Sequence, residues 1–293
     1  MRLGRALALP LVVVLVSGSA LASGIDGTVE GTVGTEPGIS KAKLLRLGRI
    51  EAPPKGKGVI VHADFPAGRP YRTPGGPVTA LTAEITPLGT AHVLSMVPVR
   101  GKKSPNPEDE CSDSTFVPVG KFWRDQDLPV EFKLNLRRLP KYMSPWLTTR
   151  ALREAHHSWT GTNSKCEEDD RIDFKFLYAG ETRKRMGFDG VNTIDFGRLR
   201  RAVAIAYVWY SGARIHEADL RLNNKYMWSN RPGVKRRYNV KNVAVHEIGH
   251  HVGLDDLGSD HPRLTMFGLV SKGEMRKITL GRGDVRGAEV VTP

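Results

Sequence analysis

Two cysteines in 293 residues are too few for a disulfide-built scaffold, so stability must come from a hydrophobic core. Aromatic residues are sparse, at 7%, and no aromatic-rich module accompanies the basic runs, which argues against nucleic-acid binding by stacking. Acidic residues are in deficit: 31 Asp+Glu stand against 44 Lys+Arg, for a formal net charge of +13. Long apolar runs are missing as well. The stretch from Ala6 to Val16 is shorter than the ~20 residues a helix needs to cross a bilayer, and no later stretch reaches that length.

That short stretch has a recognisable setting. Arg2 and Arg5 precede it, small residues follow, and it ends in Ala20-Leu21-Ala22, the pattern of a secretory signal peptide over residues 1–22. Its removal takes away two arginines and no acid, leaving +11. The expected location is therefore secreted: extracellular or periplasmic. An exported chain meets oxidising conditions, which gives Cys111 and Cys166 a use as one disulfide closing a long loop, although the sequence does not fix that they pair.

Residues 23–115 are punctuated by Pro53-Pro54, Gly56, Gly58, Pro66, Gly68, Pro70 and Pro74-Gly75-Gly76-Pro77, which break helices and long strands. Short apolar pieces survive between the breaks, at Val59-Ile60-Val61 and Val93-Leu94. A small β unit, a linker and a removable pro-segment all fit this pattern. Residues 116–293 are better ordered. Alternation predicts strands over Pro129–Leu134, Ile172–Phe176 and Ala218–Leu222, Val191–Phe196 reads as a short strand, and the apolar run Val203–Tyr210 predicts a buried strand. Leu147, Ala151, Ala155 and Trp159 mark one face of a helix that Thr148 or Thr149 would cap. A second helix opens at Asn239 or Asn242 and ends at Gly253, and a last one spans about Asp284–Val291. The layout is α+β: one twisted mixed sheet with few long helices.

The informative segment is Val245-His246-Glu247-Ile248-Gly249-His250-His251-Val252-Gly253-Leu254-Asp255-Asp256. Residues i and i+4 share a helix face, so His246 and His250 can aim imidazoles at one zinc ion. Glu247 sits beside the first of them, placed to hold a water. Catalytic zinc sites usually have three protein donors and one open position. Gly253 can turn the chain sharply and bring Asp256 back as the third. The His-Glu-x-x-His pattern alone arises by chance in about one chain in a hundred of this length, and the Gly and Asp lower that by about two more orders of magnitude.

This segment resembles the metzincin signature HExxHxxGxxH/D, in its less common Asp form. Met266, in Leu264-Thr265-Met266-Phe267, resembles the Met-turn, whose side chain forms an apolar floor beneath the zinc. Lys121-Phe122-Trp123 with Leu128-Pro129-Val130, Asp189 to Ile194, Ala218 to Asn223, and Leu280 with Asp284-Val285 and Gly287 resemble the matrixin branch, bacterial type. The resemblance covers about residues 116–293. It implies a metzincin-like catalytic domain with an active-site helix, a Met-turn and a C-terminal helix. It also implies one catalytic Zn2+ held by His246, His250 and Asp256, with Glu247 activating a zinc-bound water to hydrolyse peptide bonds in proteins. Val203–Tyr207 resembles the edge strand that pairs with extended substrate; an ordinary inner strand fits its sequence equally well. Arg221 stands where a structural-zinc His is expected and no His-Gly-Asp lies upstream, so no structural zinc is predicted; calcium has no support in the sequence either. No PRCGxPD latency motif is visible, so latency conferred by the N-terminal segment would need another device.

His261 and Glu274 are alternative third ligands, disfavoured by the motif spacing and the Gly253 turn. His251 points about 100° away from His250 on a helix, and His156-His157 read as structural. The basic clusters Arg183-Lys184-Arg185, Arg198–Arg201 and Lys235-Arg236-Arg237 read as solvated faces, with anionic surface partners as the sharper reading. Expected partners are protein or peptide substrates, with no specific nucleic acid and no membrane span. The competing function is a zinc-containing binding protein that keeps the scaffold without turnover.

Overall fold

Strands that are apolar on both faces occupy the middle of a sheet, and here nine strands form one sheet around such a centre. The computed structural model describes residues 39–292, apart from 49–50, 67, 100–108, 161–163, 167–171 and 173. The expected signal peptide, residues 1–22, lies outside them. After helix α1 (Lys41–Gly48) come β1 (Gly58–Asp64), β2 (Tyr71–Thr73), β3 (Gly76–Ile85) and β4 (Ala91–Pro98). Then follow β5 (Val130–Asn135), α2 (Pro145–His157), β6 (Phe176–Glu181), β7 (Asn192–Gly197), β8 (Ala204–Ser211) and β9 (Arg214–Asn223). Two short strands, β10 (Trp228–Ser229) and β11 (Tyr238–Asn239), lead into α3 (Val240–Val252), and α4 (Arg282–Val291) closes the described chain.

The strand order is β2-β3-β1-β8-β9-β7-β5-β6, with β4 also on β3. β6, β5, β7 and β9 run parallel to one another, whereas β8, β1 and β3 alternate in direction. This is the α+β fold with a mixed sheet that the sequence led us to expect. The short apolar pieces around Val59 and Val93 lie in β1 and β4, in a β unit that is continuous with the rest of the sheet.

Alternation along β1 separates two cores. Val59, Val61 and Ala63 pack with α1 residues Leu44 and Leu47, and with Ile205, Tyr207 and Trp209 of β8. Ile60 faces the larger core, shared with Trp159 near the end of α2, with α3 and with the opposite face of the sheet. Period-two geometry therefore turns His62 and Asp64 towards α3 as well.

Three local expectations change. The cap of α2 is Ser144, whose hydroxyl accepts from Leu147 N, and Pro145 takes the first helical position, where its missing N–H costs nothing. Leu147 is therefore in the first turn and half-exposed, while Ala151, Ala155 and Trp159 are buried. Ile172 and Phe174 are buried outside any strand; β6 begins at Phe176, and residue 173 lies outside the described positions. β8 is an inner strand, with β9 on one side and β1 on the other. Asn239 caps α3 by accepting from Asn242 N. In α4, Gly287 is tolerated because a side chain there would press on Leu254 and Phe116.

Cys111 and Cys166 are joined in a disulfide across 55 residues of sequence. A loop of that length restricts the unfolded chain by about 4 kcal/mol in the chain-entropy model. The paired replacement Cys111→Ser/Cys166→Ser should lose stability of about that size in denaturant titration, with little change in the circular dichroism of the folded state.

Candidate metal centre

Helix α3 is buried on almost every side, from Val240 to Val252, because it lies between the sheet and the chain that follows it. It places His246 and His250 one turn apart, their rings 5.0 Å centre to centre and nearly perpendicular. His246 Nδ1 lies 2.8 Å from the carbonyl of Thr265, and His250 Nδ1 lies 2.8 Å from that of Leu254. Each Nδ1–H faces a carbonyl acceptor, which orients the ring and turns Nε2 towards Asp256. The helix stops at Gly253, at φ 122°, where a Cβ would stand 2.6 Å from the Lys121 carbonyl. Only glycine fits that turn, and it carries the chain to Asp255 and Asp256.

Asp256 Oδ1 is 3.2 Å from His246 Nε2 and 3.9 Å from His250 Nε2. Asp256 therefore lies between the two histidines, although His246, His250 and Asp256 do not stand together as one donor group among the described residues. Two further residues join them from β1: Asp64 Oδ2 is 3.2 Å from His246 Nε2, and the His62 ring stacks on His250 at 3.9 Å. Two donor triads result, Asp64 with His246 and Asp256, and His62 with His250 and Asp256.

The chemistry of this set suits zinc. The Nε2 atoms of His62, His246 and His250, and both carboxylate oxygens of Asp64, Glu247 and Asp256, are buried without a hydrogen-bond partner. Such groups are costly to bury unpaired, and a divalent cation satisfies many at once. Donors bound to one zinc at ~2.0–2.1 Å in a tetrahedron lie about 3.3 Å apart, close to the separations found here. Without a cation the electrostatics conflict. Burial opposes protonation of His246, as does Lys277, but Asp64 and Asp256 outweigh both and raise its pKa to about 10. Burial, then His62 and His246, hold His250 well below the usual range. Burial and the neighbouring Asp64 push Glu247 well up, and burial also raises Asp256.

Met266 is buried against α3 at Gly249. A Cβ on Gly249, midway between the two histidines' turns, would collide with Met266 Sδ and stand 2.8 Å from Trp159 Cζ2. Asp284 holds this turn by its backbone: Oδ1 accepts from Met266 N, while Oδ2 accepts from Thr265 N and Gly281 N. The carbonyl of Thr265 in turn orients His246, so α4 acts on the centre through Asp284.

The other candidates lie elsewhere. His261 pairs with Asp113 at 2.9 Å, and Glu274 with Arg276 at 2.7 Å. His251 is buried, and the indole of Trp123 donates to its carbonyl. His156 stacks on Phe132 at 3.5 Å, and burial lowers its pKa to about 3. Arg221 makes a two-pronged ion pair with Asp195. Glu217 accepts from Asp189 N and Gly190 N, and Asp219 from Gly187 N and Thr193 N, so two buried acids hold the loop 187–193. The sequence reading missed His62, Asp64 and Lys277, the last with its ammonium 3.0 Å from His246 Nδ1. The signal for the first two was an H-x-D pair two apart on a strand otherwise made of Val, Ile and Ala.

A histidine pair on a buried helix, a glycine turn, a nearby aspartate and a methionine packed under the helix are arranged as a metzincin-type centre would need. The Matrixin model of the peptidase M10 family matches residues 122–291, more than half the chain, and the chain belongs to that family. It is thus a member of a family of zinc-dependent metalloproteases. No curated protein matches it significantly. Gly249→Ala should destabilise the fold by about 1–3 kcal/mol through overpacking; the thermal midpoint should fall and zinc should leave faster to a chelator.

Proposed function

We propose that the chain is an exported endopeptidase that hydrolyses peptide bonds in proteins, with His246, His250 and Asp256 as the zinc ligands and Glu247 as the catalytic base. The observation that carries this reading is the position of Asp256 between His246 and His250, all three buried with donor atoms that lack a hydrogen-bond partner, next to an equally unsatisfied Glu247. Zinc, when bound, supplies a Lewis acid that polarises the scissile carbonyl. Glu247 accepts the proton of the attacking water and delivers it to the departing amine. Met266 and Trp159 keep the floor apolar and fix the height of α3. Export is supported by the basic-apolar-small N-terminus and by the disulfide, which needs oxidising surroundings.

One observation favours the alternative of a zinc-holding scaffold without turnover: the donors are sealed from solvent, Glu247 and both histidines completely so. Glu247 separates the two readings. Glu247→Ala should retain one zinc per chain and lose at least about a hundredfold in hydrolysis of a mixed peptide library, measured before and after limited proteolysis, with a chelator control. Hydrolysis at the wild-type rate by the zinc-loaded variant would defeat the mechanism.

A further inference from the structure

The face of the sheet away from α3 carries a polar cluster that the metal centre does not use. Ile194, Leu220 and Leu222 belong to the core shared with α3, so period-two geometry turns Asp195 and Arg221 to the opposite face. They stand in one row: Asn135 of β5 is in register with Asp195 of β7, and Asp195 with Arg221 of β9. The three strands run parallel, and the row lies near their C-terminal ends, the place where open α/β sheets hold ligands.

Arg221 is committed to Asp195, with Nε at 2.6 Å and Nη2 at 2.5 Å, and both side chains are buried. Gly197 makes room for that guanidinium, since a Cβ there would stand 2.7 Å from Arg221 Nε. Asp195 and Asn135 line a cavity of about 410 Å³ together with Arg137, Arg138, Arg183 and Arg185. A neighbouring cavity, also of about 410 Å³, shares Arg138 and Arg185 and adds Arg198. Its acids are Glu51 and Asp189, and Asp189 pairs with Lys184 at 3.3 Å.

Positive charge is therefore in excess. The Asp195 carboxylate, already held by Arg221, is 3.8 Å from Arg185 Nε. Among the described residues no ion pair joins Arg137, Arg138, Arg183 or Arg198 to an acid. Burial, then the charges of Arg221 and Arg138, hold Arg185 below the usual guanidinium range. The backbone keeps these like charges together. Asn135 Nδ2 donates to the carbonyls of Lys184 and Arg183 at 2.6 and 3.3 Å, and Asn224 Nδ2 to that of Arg138 at 3.4 Å.

We propose that the two adjoining cavities form a binding site for a phosphoryl-bearing anion, gripped by Arg138 and Arg185 where the cavities meet and by Arg137, Arg183 and Arg198 around them. A phosphomonoester carries close to two charges at pH 7 and three acceptor oxygens, which suits several guanidinium forks at once. Asp195 orients the cluster and leaves its excess charge in place, because Arg221 already neutralises it. The site lies across the sheet from His246 and His250 and does not depend on the peptidase reading.

The test titrates the full chain with tripolyphosphate by calorimetry, at an ionic strength held constant with chloride. It also sediments the chain with phosphatidylcholine vesicles that contain or lack phosphatidic acid. Wild type should bind tripolyphosphate at one saturable site, and Arg138→Gln/Arg185→Gln should weaken it by about tenfold or more. Arg185→Lys keeps the charge but loses the fork, and should give a smaller loss. Lys235→Gln/Arg236→Gln, in a basic run that lines neither cavity, should bind as wild type does. Preference for phosphatidic acid vesicles would identify a lipid headgroup as the source, and its lack a free oligophosphate; either keeps the site. No saturable binding of either probe by wild type would overturn the proposal. So would an equal loss in the Arg138/Arg185 and Lys235/Arg236 variants, which marks diffuse surface charge. Should the double glutamine variant at 138 and 185 fail to fold, Arg185→Lys carries the comparison, and binding equal to wild type there would overturn it.

Discussion

The structure depends on a concentration of unsatisfied electron pairs. Three imidazole nitrogens and six carboxylate oxygens are buried together without a hydrogen-bond partner. No packing of apolar residues compensates such a cluster, and mutual proton sharing does so only in part, since burial drives His250 and Glu247 towards neutrality while the carboxylates draw His246 towards charge. A doubly charged ion bound among them would resolve the conflict. Loading with such an ion would then raise stability as well as enable chemistry.

The remainder of the fold places these donors. Helix α3 is rigid because it is buried all round, and its contact with Met266 is close enough that only glycine fits at residue 249. From the other side, Asp284 gathers three backbone N–H groups, and through Thr265 it orients His246. Glu217 and Asp219 perform a similar service for the loop before β7, where buried carboxylates bind backbone amides. A single device recurs: an acid whose burial is compensated by N–H donors holds a loop in one conformation.

The half of this arrangement carried by α3 and the turn after it was legible in the sequence because its signals are local. His246, Glu247, His250, Gly253 and Asp256 fall within eleven residues and obey helix and turn geometry. Strands β5, β7, β8 and β9 and helices α3 and α4 were visible for the same reason, with ends displaced by a few residues. The α2 cap was misplaced because Ser144-Pro145 was passed over for the threonines that follow. Ile172 and Phe174 alternate as a strand would, yet they are buried loop residues, since period two reports which side faces inward rather than hydrogen bonding. His62 and Asp64 were invisible for a different reason. Their partners lie about 140–190 residues further on, and no local pattern encodes which strand β1 will find.

The continuity of β1 with β8 also bears on how the polypeptide is born and dismantled. The meander of β1, β3 and β4 emerges from the ribosome well before β8 does, with the Val59-Ile60-Val61 side of the ladder bare until its mate is made. Bare edges of this kind invite pairing with neighbouring chains. Pairing of β1 with β8 covers that flank of both, so neither part of the sheet could be removed without exposing a bare edge on the other.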